Sequence, residues 1–214
     1  MINRMKIETR LLPAGDPETY KLALECLNSG GTIAIATDTV YGIAAKINNV
    51  AGINKLFEIK MRQRVKAIAV LIADNSQLDA VATKLTPEAT LLAKEFWPGG
   101  LTLIVDRNPG LPAELSPTNT IGVRMPDHLH TQNLIRTTGP LATTSANVSR
   151  EPDLTSGIDV YDKFYGKLNL VVDSGQTQGG VPSTVIDCTS YTPAILREGA
   201  VSKTDISTII QIEN

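Results

Sequence analysis

Apolar positions along the chain alternate between a helical period near 3.6 and short continuous β-branched runs, the pattern of helices packed on a buried sheet. Asp16-Pro17-Glu18 reads as N-cap, N1 proline and first-turn acid ahead of Tyr20, Ala23, Leu24 and Leu27 at helical spacing, with Gly30-Gly31 as the stop. This predicts a helix over 16–29. Residues 32–37 follow as a buried strand that opens into Asp38-Thr39-Val40-Tyr41-Gly42. Residues 49–58 read as a short helix with Ile53, Leu56 and Phe57 inward, a cationic stretch 60–66 as extended, and 67–72 as a strand. Thr86-Pro87-Glu88 starts another helix, which Trp97-Pro98-Gly99-Gly100 ends before a strand at 101–105.

Further along, 120–125 predicts a strand, 127–136 a helix, and 140–144 a buried strand delivering Ser145-Ala146-Asn147 at its end. Tyr161 and Phe164 anchor a helix before a strand at 168–172, and the glycine-rich loop 173–180 precedes strands at 183–187 and 194–197. A last helix spans 203–210. Strands that follow each other without an intervening helix imply a mixed sheet, so the fold class is α/β with a single open, twisted mixed sheet. The domain is expected over 16–202, with an N-terminal extension at 1–15 and a C-terminal helix and tail at 203–214.

Composition narrows the function. The 214 residues carry 20 Lys+Arg and 22 Asp+Glu, so bulk electrostatic capture of nucleic acid is excluded and any anion site is local. The longest apolar run, Ala67 to Ala73, is far below the roughly 20 residues a bilayer span needs. No secretory pattern is visible, and the two cysteines, Cys26 and Cys188, give neither a disulfide framework nor metal spacing. A cytoplasmic protein without membrane contact is expected. His128 and His130 lack further ligands nearby and read as a polar helix start, so no metal site is assigned. Ser145 has no nucleophile elbow, and neither a P-loop nor a dinucleotide fingerprint is present.

The charge is nonetheless uneven. Lys55, Lys60, Arg62, Arg64 and Lys66 stand against the single acid Glu58. Alternate cations on an extended segment project to one side, where they suit a chain of phosphates; a solvated charged turn explains the same run. Thr37 to Gly42, Ser145 to Asn147 and Pro182 to Thr184 set hydroxyls and amides at strand ends, where ligand sites of α/β sheets form and where caps and turns also occur. Arg124 and Arg197 close apolar strands, so each needs an anion: a ligand carboxylate, or an acid such as Glu198.

Seven motifs in chain order then resemble the YrdC-domain family, the threonylcarbamoyl-AMP synthases: Thr37-Asp38-Thr39-x-Tyr41-Gly42, Lys60-x-Arg62, Trp97-Pro98-Gly99-x-Leu101-Thr102, Val123-Arg124-x-Pro126, Ser145-x-Asn147, Pro182-Ser183-Thr184-Val185-Ile186-Asp187 and Leu196-Arg197-x-Gly199. The resemblance implies a twisted sheet around a concave basic cavity. It implies a reaction that takes L-threonine, bicarbonate and ATP, with Mg²⁺ on the triphosphate, to threonylcarbamoyl-AMP and pyrophosphate, ahead of transfer proteins that modify tRNA. By motif it places Lys60, Arg62 and Lys66 on the ATP phosphates and Thr120, Ser145, Asn147 and Arg197 on the nucleotide side. Thr39, Arg124, Thr143 and Ser183 face threonine. Lys60, Arg62, Ser145 and Asn147 carry the chemistry by positioning and charge.

The chain departs from the family pattern at Gln63 and Ala67, where prolines are usual, and at Arg150 and Asp153, where Gly and Ser are usual. An acid at Asp153 repels phosphate unless it meets a metal or ribose. Two other readings stay open: a carbamoyl-adenylate enzyme with a different acceptor, and an RNA-binding, translation-associated module.

Overall fold

The computed structural model describes residues 7–213. Ten strands form one sheet: β1 (Arg10–Pro13), β2 (Ile33–Ile35), β3 (Gly42–Lys46), β4 (Ala69–Leu71), β5 (Leu101–Asp106), β6 (Thr120–Arg124), β7 (Leu141–Ser145), β8 (Leu170–Asp173), β9 (Thr184–Asp187) and β10 (Ala194–Arg197). Their order across the sheet is β1-β8-β2-β3-β7-β4-β6-β5-β9-β10. The pairs β1–β8, β2–β8, β4–β6 and β5–β9 are parallel and the rest antiparallel, so the sheet is mixed as the sequence implies.

Helices α1 (Pro17–Asn28), α2 (Val50–Lys60), α3 (Pro87–Phe96), α4 (Leu129–Thr138), α5 (Gly157–Phe164) and α6 (Lys203–Ile209) surround it. Their starts follow the caps read from sequence. Asp16 accepts from the Glu18 amide, Thr86 from Ala89 and His128 from Thr131, each satisfying a donor that the first turn leaves free. No described helix is long and apolar enough to cross a membrane.

The two faces of the sheet are covered unequally, and this creates the cavity. One face, with Ala34, Ile43, Val70, Leu103, Val123, Val171 and Ile186, packs under Ile53 and Leu56 of α2, Leu92 of α3 and Phe164 of α5. Among the described residues the other face meets α1 and α4, through Ala23, Leu27, Leu134 and Ile135 on Ile33, Ile35, Ala44, Leu141 and Leu170. Beyond β7 no helix among the described residues joins that second-face cluster. Alternate positions of the face there, Ala69, Gly122 and Thr102, like Thr143 of β7 beside them, are small or polar, as a solvent-reaching floor requires.

Three boundaries differ from the sequence reading. Arg10–Pro13 lies inside the predicted N-terminal extension yet pairs in parallel with β8, while residues 1–6 of that extension and the last residue of the tail fall outside the described residues. Gly42–Lys46 is a strand antiparallel to β7, so 37–41 is the turn between two strands. Lys60 is the last residue of α2, not part of an extended run: Met61 caps the helix with φ 52° and Arg62 leaves it in a new direction. The alternation proposed for Lys60, Arg62, Arg64 and Lys66 therefore does not exist.

Candidate active site

The floor and the surrounding strand ends enclose a cavity of about 280 Å³. Register explains its lining. Thr143 and Ser145 of β7, Ala69 and Leu71 of β4, Gly122 and Arg124 of β6, and Thr102 and Ile104 of β5 occupy alternate positions and so share a face. Gly42 of β3 sits opposite Ser145, and a Cβ there would lie 2.6 Å from the Thr143 methyl carbon, so only glycine leaves this wall open.

One end of the cavity is built on the turn 37–41. Arg124, 6 % exposed as a residue, donates through Nε to the Gly99 carbonyl at 2.9 Å, through Nη1 to Thr39 Oγ1 at 2.9 Å and through Nη2 to Asp38 Oδ1 at 2.6 Å. Five N–H groups serve three partners, leaving two for a ligand. Its internal anion is thus Asp38 and not Glu198, and Asp38 also accepts from the Asp127 amide at the entry to α4. Thr37 Oγ1 donates to the Val40 carbonyl at 2.7 Å and lies 2.9 Å from Thr39 Oγ1. Since Arg124 only donates, the hydroxyls run in one direction, from Arg124 through Thr39 and Thr37 to Val40.

Ser183 Oγ lies 2.8 Å from Thr102 Oγ1, and Arg197 donates to the Ser183 carbonyl through Nη2 at 2.7 Å. Arg62 reaches back to the Ala67 carbonyl at 2.8 Å. Burial pulls the Arg62 guanidinium below its usual range, and the charge of Arg197 pulls it further. Burial does the same to Arg124, with Asp38 opposing and Arg197 adding to the shift. Among the described residues only Arg124 of the three forms a salt bridge. Of the three guanidiniums around this cavity one is paired with a carboxylate among the described residues, an arrangement short of negative charge.

The glycine-rich loop roofs the turn. Gly179 and Gly180 donate their amides to the Asp38 and Thr39 carbonyls, and the Tyr41 hydroxyl accepts from the Ser174 amide at 3.0 Å while donating to the Gly175 carbonyl at 2.9 Å. Burial, with a smaller contribution from Asp173, pushes the Tyr41 phenol up to about 12.

Behind Ser145 stands Lys60, 2 % exposed. Its ammonium faces the Ser145 carbonyl, Asn147 Oδ1 at 2.5 Å, the Asn147 carbonyl at 2.9 Å and Ser145 Oγ at 3.3 Å. Burial pulls it down to about 8, the Arg62 charge adds to this, and Asp153 opposes.

The wall thus holds Arg62, Ser145 and Arg197 from the predicted nucleotide set and Thr39, Arg124, Thr143 and Ser183 from the predicted threonine set. Lys60 and Asn147 stand one layer back, touching the wall through Ser145. Lys66 is exposed and away from the wall, and Thr120 bonds to Thr118 outside it. Thr37, Tyr41 and Thr102 line the cavity without a predicted role, and Asp38 supports it unassigned; all four lie inside motifs that the sequence displays.

The family described as telomere recombination, Sua5/YciO/YrdC, matches residues 25–199. The chain belongs to this family. A Bacillus subtilis threonylcarbamoyl-AMP synthase is 38% identical over 93% of this chain and 58% of its own length. A Pyrococcus abyssi threonylcarbamoyl-AMP synthase is 36% identical over 89% of this chain and 56% of its own. The chain therefore spans little more than half the length of these Sua5/YciO/YrdC relatives. A crystal structure of P. abyssi Sua5 complexed with L-threonine superposes with a TM-score of 0.89 at 34% identity, covering 96% of this chain and 62% of that one.

Proposed function

We propose that the chain forms threonylcarbamoyl-AMP and pyrophosphate from L-threonine, bicarbonate and ATP, the first stage of threonylcarbamoyl-adenosine synthesis in tRNA. The observation that carries this reading is one cavity with two unlike ends. Around the Asp38–Arg124 pair, two free guanidinium N–H groups and the Thr39, Thr143 and Ser183 hydroxyls suit a hydroxylated amino acid. Arg62 and Arg197, in no salt bridge among the described residues, suit a triphosphate. Similarity to relatives that carry this activity in their names supports the same substrates.

The chemistry rests on placement and charge. Arg124 and the hydroxyls hold threonine so that its nitrogen meets bicarbonate, and the resulting carbamate oxygen attacks the α-phosphorus as pyrophosphate leaves. Arg62 and Arg197 draw off the negative charge that grows on the phosphates. Mg²⁺ fits as part of the nucleotide: the wall offers hydroxyls and guanidiniums but no carboxylate to hold a resident ion, and no cluster of acids, His or Cys is found among the described residues. Bound to ATP, it supplies charge neutralisation on the triphosphate. The product is a mixed anhydride that a transfer protein passes to tRNA, and the cytoplasm, where ATP and tRNA meet, is the proposed compartment.

Incubation with Mg·ATP and bicarbonate, with and without L-threonine, tests this. Pyrophosphate release that depends on threonine is the expected result. Release indifferent to threonine, or none, overturns the reading, and RNA affinity untouched by threonine then favours the binding-module alternative.

A further inference from the structure

A threonine nitrogen that attacks bicarbonate must first lose a proton, because an ammonium has no lone pair. The described wall of the cavity carries no carboxylate and no imidazole. Its guanidiniums have no acceptor, and the Tyr41 phenol, pushed up to about 12, already accepts from Ser174 and donates to Gly175. Resting on the threonine-activating reading above, we infer that Lys60 is the proton acceptor of this site, working through the Ser145 hydroxyl that lies between it and the cavity.

The hydrogen-bond geometry accommodates both protonation states. As an ammonium, Lys60 has three N–H groups for the Ser145 carbonyl, the Asn147 carbonyl and Asn147 Oδ1, while the Ser145 hydroxyl donates to Asn147 Oδ1 at 2.8 Å. As an amine, it keeps two N–H groups for the two carbonyls and turns its lone pair to Ser145 Oγ at 3.3 Å. The exchange turns on one rotation of the Ser145 hydroxyl, from Asn147 Oδ1 to the Lys60 amine, and its cost falls on Asn147 Oδ1, which gives up both donors on a partly exposed side chain. The surroundings keep the two states close in energy: burial and Arg62 disfavour the charge, Asp153 favours it, and no carboxylate is salt-bridged to Lys60 among the described residues. Such a poised lysine matches the demand on a base working near neutrality.

The step balances. The threonine ammonium gives a proton to Ser145 Oγ as the serine proton passes to the Lys60 amine. The freed nitrogen adds to the bicarbonate carbon, and its second proton leaves with the departing hydroxide as water. The carbamate oxygen then bonds to the α-phosphorus as the bond to pyrophosphate breaks, and Lys60 returns its proton to pyrophosphate or solvent. Lys60 reaches substrate only through Ser145, so it positions and stores the proton.

The test combines a titration with a pH profile. In protein labelled with ¹³C on lysine, the Lys60 signal, assigned by its loss in Lys60→Arg, is expected to titrate near 8; titration in the ordinary lysine range overturns the inference whatever the activity. Lys60→Arg keeps the charge but cannot act as a base, so ATP binding is expected to stay within about threefold while threonine-dependent turnover falls about 100-fold at pH 8. Small primary amines should restore turnover to Lys60→Ala. Where Lys60→Arg fails to fold, Ser145→Ala serves: it cuts the relay and leaves Lys60 in place. Turnover and pH profile unchanged in Lys60→Arg or in Ser145→Ala overturn the inference, and wild-type protein inert toward threonine overturns the proposed function instead.

Discussion

The Asp38–Arg124 pair shows how much a single buried contact organises. Arg124 is held at three points, but only Asp38 supplies countercharge, so its loss leaves a guanidinium buried without a carboxylate. Asp38→Ala is expected to cost about 2–4 kcal/mol of stability, and most of that loss should vanish in Asp38→Ala with Arg124→Met, because the stranded charge goes too. Denaturant melts of the two singles and the double measure the coupling; additive losses would mean the pair contributes nothing of its own. Lys60 has a signature of another kind. An unfolded lysine keeps its proton up to its ordinary value of 10.5, whereas folded Lys60 releases it at about 8. Between those values the unfolded state binds more protons, so the contribution of Lys60 to stability rises with pH and is lost as pH falls through 8. Cys26, raised to about 11, and Tyr41, raised to about 12, push the opposite way at higher pH, so the comparison must be differential. The stability difference between wild type and Lys60→Met is expected to shift in favour of wild type from pH 7.5 to 9.5, and a flat difference would contradict it.

Elements set where those residues act, and the end of α2 is the clearest case. Met61 caps the helix at φ 52°, a left-handed conformation in which a side chain meets the backbone, and it is 79% exposed with little packing to lose. Met61→Gly is expected to raise stability by about 0.5–1 kcal/mol, a gain of about 1–4 °C in melting temperature, with threonine and ATP binding unaltered. A fall in melting temperature would show that the methionine side chain matters more than its backbone. This cap is also why the charge run misled: helix propensity carries through Ile59 and Lys60, and nothing before Met61 marks the stop, so Lys60 turns inward while Arg62 alone reaches the wall. Helices with explicit caps, Asp16-Pro17 and Thr86-Pro87, were legible to within a residue. β1 and β3 were not. Arg-Leu-Leu-Pro is too short to show alternation, and its partner β8 lies some 160 residues away, while Gly-Ile-Ala-Ala-Lys has one β-branched residue and is a strand because β2 and β7 flank it.

At the scale of the molecule the cavity is a place where a helix is missing. The second face of the sheet is sealed by α1 and α4 as far as β7, and then continues over β4, β6, β5 and β9 as a floor of Ala69, Gly122, Thr102, Ile104 and Val185. The residues of this floor were visible in the sequence as motif positions, but their common face was not, since it depends on the pairing of strands far apart in the chain. Gly122 sits at its centre: a Cβ there would lie 3.2 Å from the Thr102 methyl carbon and 3.4 Å from the Ala69 Cβ, tight yet open toward the cavity. Any larger side chain projects into the space a ligand needs. Gly122→Val is therefore expected to separate folding from function. The strand conformation accepts valine, so the cooperative melt should persist with a loss of about 1–3 kcal/mol from crowding, while ligand-induced stabilisation by threonine and by Mg·ATP falls at least about tenfold in apparent affinity. Thermal-shift titrations of wild type and variant decide it. Unchanged affinity for both ligands would place their binding away from this floor, and with it the reading of the uncovered half-sheet as the site would fall.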